Sequence, residues 1–314
     1  MEIVFNHRPV LLDEVLLSLN IKPDGIYVDG TVGGAGHSSQ IAKRLSPNGA
    51  LFGIDQDPAA VKTAGERLSS FPNAKVLRGN FSSMKSLLKE EGIEKADGIL
   101  LDLGVSSYQL DTPERGFSYN YDAPLDMRMS GEGLSAFDVV NSYSLEDLTR
   151  VIRDYGEEKF SFKIAKEIVR RREISPINTT LELADLIKEA IPAPARREGG
   201  NPSKRTFQAI RIEVNGELRI LEDALNDAFS LLNVGGRLSV ITFHSLEDRI
   251  VKNTFSEFCK GCICPPEFPV CVCKRTPRGK LVTKKPVTAG EEELAENKRS
   301  HSAKLRSVEK IKED

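Results

Sequence analysis

No run of about 18 apolar residues occurs in the 314-residue chain, so no helix able to cross a bilayer is written into it. The first residues, MEIVFNHRPVLLDEV, lack the basic end and apolar stretch of a secretory leader, and a cytoplasmic location is expected. An excess of one charge is missing too. Lys and Arg number 44 against 46 Asp and Glu, so nothing global announces a polyanionic partner. Any phosphate-binding surface must come from local clusters. Residues 249–314 hold 15 Lys or Arg against 9 Asp or Glu, and residues 196–211 hold 5 against 1. A solvated charged face is the plain alternative for both. Cysteine is scarce: Cys259, Cys262, Cys264, Cys271 and Cys273 fall within fifteen residues, too local for a disulfide framework holding the whole chain. Internal repeats are not visible either.

What is present is ordinary for a globular protein, at 39% hydrophobic and 29% charged, and the length exceeds one average domain. The first 110 residues alternate short apolar runs with helical patterns, the rhythm of a parallel sheet with crossover helices. Strands are expected at Gly25 to Gly30, Ala50 to Asp55, Lys75 to Asn80 and Asp97 to Gly104. Asp57 with Pro58 starts one crossover helix, and Ser82 or Ser83 another. From Asp111 the strands stop, and a loop rich in Asp, Pro, Gly and Tyr leads into helices capped at Ser144 and Thr179. Phe207, Ile210, Val214, Leu218, Leu221 and Leu225 form one helical stripe leading back to the sheet, ended by Gly235 and Gly236. Arg237 to Phe243 is a fifth strand, followed by a helix capped by Ser245 and Asp248, and Lys280 to Pro286 with Ala303 to Ile311 reads as an antiparallel edge pair. The expected architecture is α/β: a Rossmann-like, doubly wound, mostly parallel sheet built from 1–110 and 216–314, with an all-helical insert at 111–215.

In such sheets ligands bind outside the carboxyl ends of the strands. The first strand runs into Asp29-Gly30-Thr31-Val32-Gly33-Gly34-Ala35-Gly36-His37-Ser38 at a helix start, where glycines admit a ligand to backbone N–H groups. A dinucleotide pattern starting at Gly34 meets Ser39 in place of its third glycine, which argues against a nicotinamide or flavin. Asp55 ends the second strand, where a carboxylate can accept both ribose hydroxyls of a nucleoside cofactor. Asn80-Phe81 and Asp102 complete the rim with an aromatic and a carboxylate, neighbours that suit a sulfonium cation. Asp29 and Asp102 also fit the role of turn or helix-capping residues.

The ordered string of motifs resembles the cytosine-N4 ribosomal RNA small-subunit methyltransferase H family, also called MraW. It comprises His7 to Leu11, Asp29 to Ser38, Gly53 to Asp57, Leu101 to Ser107, Arg115 to Ser118, Pro124 to Met129, Tyr155 to Glu158, Arg205 to Ala209 and Phe243 to Arg249. The resemblance implies S-adenosyl-L-methionine held by Ala35, Gly36, His37, Asp55, Phe81, Asp102 and Gln109. It also implies a helical insert that helps recognise RNA, and a cytidine at the decoding centre of an assembled small subunit as the target. A homodimer is compatible with the sequence.

Asp102-Leu103-Gly104-Val105 lacks the prolines and aromatic of the Asp-Pro-Pro-Tyr motif common among exocyclic-amine methyltransferases. Asp102 is nevertheless expected to align the amine, and Tyr108, Phe117, Tyr119 and Tyr121 are candidates to stack on the base. His7, His244 and Ser245 are candidates for the substrate side or for structural hydrogen bonds. The cysteines read C-x2-C-x-C-x6-C-x-C, not a standard zinc spacing; they stand outside the activity motifs, and zinc binding stays open. Two other classes compete: an amino-methyltransferase acting on another nucleic acid, and a non-catalytic RNA-binding protein, which leaves the acidic rim unexplained.

Overall fold

The computed structural model describes residues 9–197, 200–265 and 267–313, without the side chain of Arg197. His7 lies outside them. The described residues form two compact units, one containing the chain up to Gly104 and from Ile220 onward, the other spanning Val105–Arg219.

The first unit is a seven-stranded sheet of β1 (Ile26–Asp29), β2 (Ala50–Asp55), β3 (Ala74–Arg78), β4 (Ala96–Asp102), β5 (Leu232–Thr242), β6 (Gly279–Leu281) and β7 (Lys304–Lys310). Its order is β3-β2-β1-β4-β5-β7-β6; the first five strands are parallel, and β7 is antiparallel to both neighbours. This is the expected doubly wound, mostly parallel α/β sheet with its antiparallel edge pair. Successive strand residues point to opposite faces, and both faces are covered. Val28, Ile99, Leu101 and Val240 pack with Leu225, Phe229, Phe255 and Phe258 on one side. Tyr27, Leu100 and Ile241 pack with Val15, Leu19, Ile41 and Leu68 on the other.

The second unit buries its own core, in which Leu148, Ile152, Ile164, Ile168, Leu183, Ile187, Phe207 and Ile210 meet. Several of its helices start on side-chain caps: Ser135 and Thr179 form reciprocal boxes with Asp138 and Glu182, and Ser144 accepts from the Asp147 N–H.

Four local expectations are corrected. The stripe from Phe207 to Leu225 is two helices, Lys204–Asn215 and Glu217–Leu231, because Gly216 takes a φ of 61° and closes the first of them. Gly235 and Gly236 do not end a helix; they lie inside β5, which begins at Leu232 and pairs with β4 through an irregularity between Ala96 and Gly98. Neither Ser82 nor Ser83 is a side-chain cap: Asn80 accepts from the Ser82 N–H, opening a short turn before the helix Met84–Glu90. The helix Ser245–Cys259 is capped by His244, whose ring accepts from the Glu247 N–H while Glu247 accepts from the His244 N–H, so Ser245 is its first residue.

Candidate active site

Asp29, Asp55 and Asp102 are the last residues of β1, β2 and β4, three strands adjacent in the sheet. At about 4.8 Å per strand their backbones span roughly 10 Å of one rim. The loop after β1 is tied to both neighbours. The Val32 N–H donates to Ile54 O (2.9 Å) and the Gly33 N–H to Asp55 Oδ2 (2.9 Å). The Gly30 N–H donates to Leu100 O (2.9 Å), and Thr31 Oγ1 accepts from the Asp102 N–H (2.6 Å). Gly30 sits in close approach, since an added Cβ would stand 2.5 Å from Leu101 Cδ2 and 2.9 Å from Met84 Cε and force those side chains to shift. Ala35 lies before the helix Gly36–Ala42 with a φ of 58°, a left-handed conformation that a non-glycine residue holds only where its surroundings impose it.

Each rim carboxylate has a different set of partners. Asp29 is buried and accepts from Ser38 Oγ (2.7 Å) and the Thr31 N–H (3.2 Å); burial still pushes its carboxyl up to about 6. Asp55 accepts from the Gly33 N–H and, through Oδ1, from the Asp57 N–H (2.9 Å). Burial raises its carboxyl, while three backbone N–H groups, those of Gly33, Gln56 and Asp57, favour the charged form. Asp102 stands apart. Its side chain is 27% exposed, yet Oδ1 is wholly buried and has no hydrogen-bond partner among the described residues. Burial first, then the charges of Asp29 and Glu247, push its carboxyl up to about 8.

His37 gives Asp102 no relief. Its Nε2 lies 3.0 Å from Val10 O, and a carbonyl can only accept, so Nε2 carries the proton. Burial lowers the imidazole to about 4, so the ring is neutral and its Nδ1 lone pair faces Asp102 Oδ2 at 3.7 Å, beyond hydrogen-bond length. Phe81 follows β3 half-buried against the sheet core, and Asn80 Nδ2 donates to Gln56 Oε1 (2.9 Å).

The structure therefore brings Ala35, Gly36, His37, Asp55, Phe81 and Asp102 together within the first unit. Gln109 belongs to the second, where its Oε1 accepts from the Ser106 N–H (3.0 Å) in a capping box. Of the stacking candidates, Phe117 and Tyr119 pack in or against the helical core, Tyr119 edge-on to Phe207 at 5.5 Å, while Tyr121 is exposed. Two contributors were missed by sequence reasoning. Thr31 was read only as part of the glycine loop. Glu247, 2% exposed, accepts from the Phe243 N–H (2.8 Å) and adds its charge to the field on Asp102. The signal for Glu247 was its place three residues after His244, once His244 is recognised as the cap.

A sheet rim with three desolvated carboxyls, one of them lacking a donor among the described residues, is built for a ligand that brings positive charge and hydrogen-bond donors. The family model described as the MraW methylase family matches residues 4–311. The chain belongs to that family. Among its relatives, ribosomal RNA small subunit methyltransferase H 2 of Agathobacter rectalis is 60% identical over 309 residues, covering 98% of each chain. Ribosomal RNA small subunit methyltransferase H of Clostridium botulinum (strain Kyoto / Type A2) is 58% identical over 308 residues, covering 98% of this chain and 99% of the relative.

As a methylase of this family the chain uses S-adenosyl-L-methionine. The residues present fit it: Asp102 Oδ1, buried and without a hydrogen-bond partner among the described residues, suits a cation, and the Asp55 carboxylate, fixed by the Gly33, Gln56 and Asp57 N–H groups, suits a ribose hydroxyl.

Proposed function

We propose that this chain methylates the exocyclic N4 amine of a cytidine in small-subunit ribosomal RNA, at the decoding centre of an assembled small subunit. The observation that carries the reading is the buried, unpartnered Oδ1 of Asp102 at the end of β4. S-adenosyl-L-methionine supplies, when bound, an electrophilic methyl group on a sulfonium. The chain's own residues do the rest. Asp55 orients a nucleoside through its hydroxyls, held in place by the Gly33 and Asp57 N–H groups. Asp102 accepts a hydrogen bond from the target amine at Oδ1, which turns the nitrogen lone pair toward the reacting carbon and favours the positive charge that develops on nitrogen. His37, neutral and anchored to Val10 O, keeps the site free of a second cation. No strong base is needed, because the amine becomes acidic as it acquires the fourth bond and passes its proton along the hydrogen bond to the Asp102 carboxylate. Most of the rate then comes from positioning and electrostatics.

A base enters such a site only when unstacked, which suits the single-stranded segments of a folded ribosomal RNA. Charge supports recognition by shape more than by bulk attraction. Arg211 forks onto Glu217 at 2.8 Å through both nitrogens, and Arg306 and Lys304 are held by Asp248. Lys204, Arg205, Lys280, Lys284 and Lys285 remain exposed for phosphates.

Transfer of radiolabelled methyl groups to small subunits lacking the modification, followed by nuclease digestion, tests the reading. Label on N4 of cytidine supports it. Label on another nucleoside, or none on subunits or naked RNA despite tight cofactor binding, overturns the substrate assignment and leaves the cofactor site standing.

A further inference from the structure

Between Lys260 and Arg278 the chain passes from the helix Ser245–Cys259 to β6 in a loop whose described residues have no regular secondary structure, and none of them is buried. Its apolar side chains face solvent: Ile263 is 52% exposed, Phe268 50%, Val270 70% and Val272 65%. Hydrophobic burial therefore cannot order this segment, although ordering a residue costs about 1–2 kcal/mol of backbone entropy. The loop closes instead on sulfur. Two C-x-C pairs, Cys262 with Cys264 and Cys271 with Cys273, place four Sγ atoms within 4.8 Å of one another. Three of the separations are 3.4 Å (Cys262 to Cys271), 3.6 Å (Cys271 to Cys273) and 3.7 Å (Cys273 to Cys262). Four sulfurs each about 2.3 Å from a central tetrahedral ion stand roughly 3.8 Å apart, so the cluster has the dimensions of a tetrathiolate metal centre. Disulfide sulfurs are bonded at about 2.05 Å, and all five cysteines here are free.

The backbone is arranged around the sulfurs in the same sense. The Val272 and Cys273 N–H groups both donate to Cys264 Sγ (3.3 Å each), the Ile263 N–H to Cys273 Sγ (3.4 Å) and the Cys264 N–H to Cys262 Sγ (3.4 Å). N–H groups aimed at sulfur favour thiolate, the form that ligates metal, and each strap donates to a sulfur of the other. Cys259 is excluded: it sits on the helix Ser245–Cys259, half-buried against the sheet core.

We propose that Cys262, Cys264, Cys271 and Cys273 bind one structural zinc ion, which orders the loop and holds its apolar residues in a fixed, solvent-facing array. A closed set of four sulfurs leaves no open coordination position, so the ion takes no part in methyl transfer. Binding displaces any remaining thiol protons into solvent and changes no oxidation state.

The test uses the full chain, purified under reducing conditions without chelator, with metal content measured by plasma mass spectrometry and cobalt(II) substitution followed by visible absorption. The expected result is one zinc per chain, and tetrahedral thiolate–cobalt bands that survive Cys259→Ser and disappear in a Cys264→Ser/Cys273→Ser double variant. That variant should still bind S-adenosyl-L-methionine and unfold cooperatively, showing that metal loss is not misfolding. Protease cleavage within residues 260–278 should become at least tenfold faster once zinc is removed. Absence of zinc together with failure to take up cobalt, iron in place of zinc, two native disulfides, or equal metal in wild type and double variant would each overturn the proposal.

Discussion

The rim of the sheet and the cysteine loop are both clusters of ionisable groups, and they are held in opposite ways. At the rim Asp29, Asp55 and Asp102 are placed by packed strands and backbone N–H groups, and burial raises all three carboxyls. In the loop the four thiols surround no core, and the residues between them are exposed. The rim is thus organised before its ligand arrives, and what it lacks is charge; the loop has its ligands assembled but nothing else to keep them so. Removing a group should therefore damage chemistry at the rim and only local order at the loop.

The largest effect is expected at Asp102. Asp102→Asn keeps the side chain's shape but turns an acceptor-only carboxylate into a half-donor, and kcat should fall by about 10²-fold or more with cooperative unfolding retained; rapid-quench methyl transfer measures it. Asp55→Ala removes the acceptor of the Gly33 and Asp57 N–H groups. Hydrogen bonds to charged groups contribute about 1.5–3 kcal/mol, so cofactor affinity should weaken by roughly 10–100-fold in calorimetry, with a smaller change in kcat. Gly30→Ala forces a Cβ into Leu101 and Met84 and should cost about 1–3 kcal/mol in urea unfolding.

A pH dependence separates Asp102 from its neighbours. A carboxyl raised in the folded state stabilises the fold below its unfolded pKa, and that contribution is lost as pH rises through the folded value. Asp29 at about 6 is largely titrated by pH 7, and His37, lowered to about 4, acts in the opposite sense chiefly below its ordinary value of 6.5. From pH 7 to 8, then, Asp102 contributes a fall in stability of the unliganded protein of up to about 1.4 kcal/mol per pH unit, read as the difference between wild type and Asp102→Asn because Cys273, lowered to about 6, acts in the opposite sense in the same window. Asp102→Asn should flatten that slope. Zinc removal should have the smallest effect on global unfolding, confined to residues 260–278.

The sheet was legible because its strands announce themselves as short apolar runs with acidic, Asn or Gly ends, and the rim follows from where parallel strands end. Asp29, Asp55 and Asp102 could be placed together from their strand positions alone. What the residues could not reveal was depth and orientation. Nothing in the spelling of Leu101-Asp102-Leu103 says that one carboxylate oxygen has no partner. Glu247 bears on Asp102 only because the sheet brings the end of β5 beside β4, an electrostatic coupling between residues 145 positions apart. The helix break at Gly216 was hidden by an apolar stripe that continues through it, since the period survives a one-residue interruption. The basic tail looked more available than it is: Lys310 is fully buried, with Nζ donating to Ser230 O, and Lys304 and Arg306 pair with Asp248. Charge counting cannot distinguish such residues from those facing solvent.

Asp102 Oδ1 is buried and has no hydrogen-bond partner among the described residues, an arrangement suited to an arriving cation. Calorimetric binding of S-adenosyl-L-methionine at pH 7 in buffers of different ionisation enthalpy counts the protons exchanged on binding. A carboxyl held at about 8 in the free protein must give up its proton as the cation arrives, so wild type should release close to one proton and Asp102→Asn almost none. Equal proton release by the two proteins, or none from either, would contradict the account.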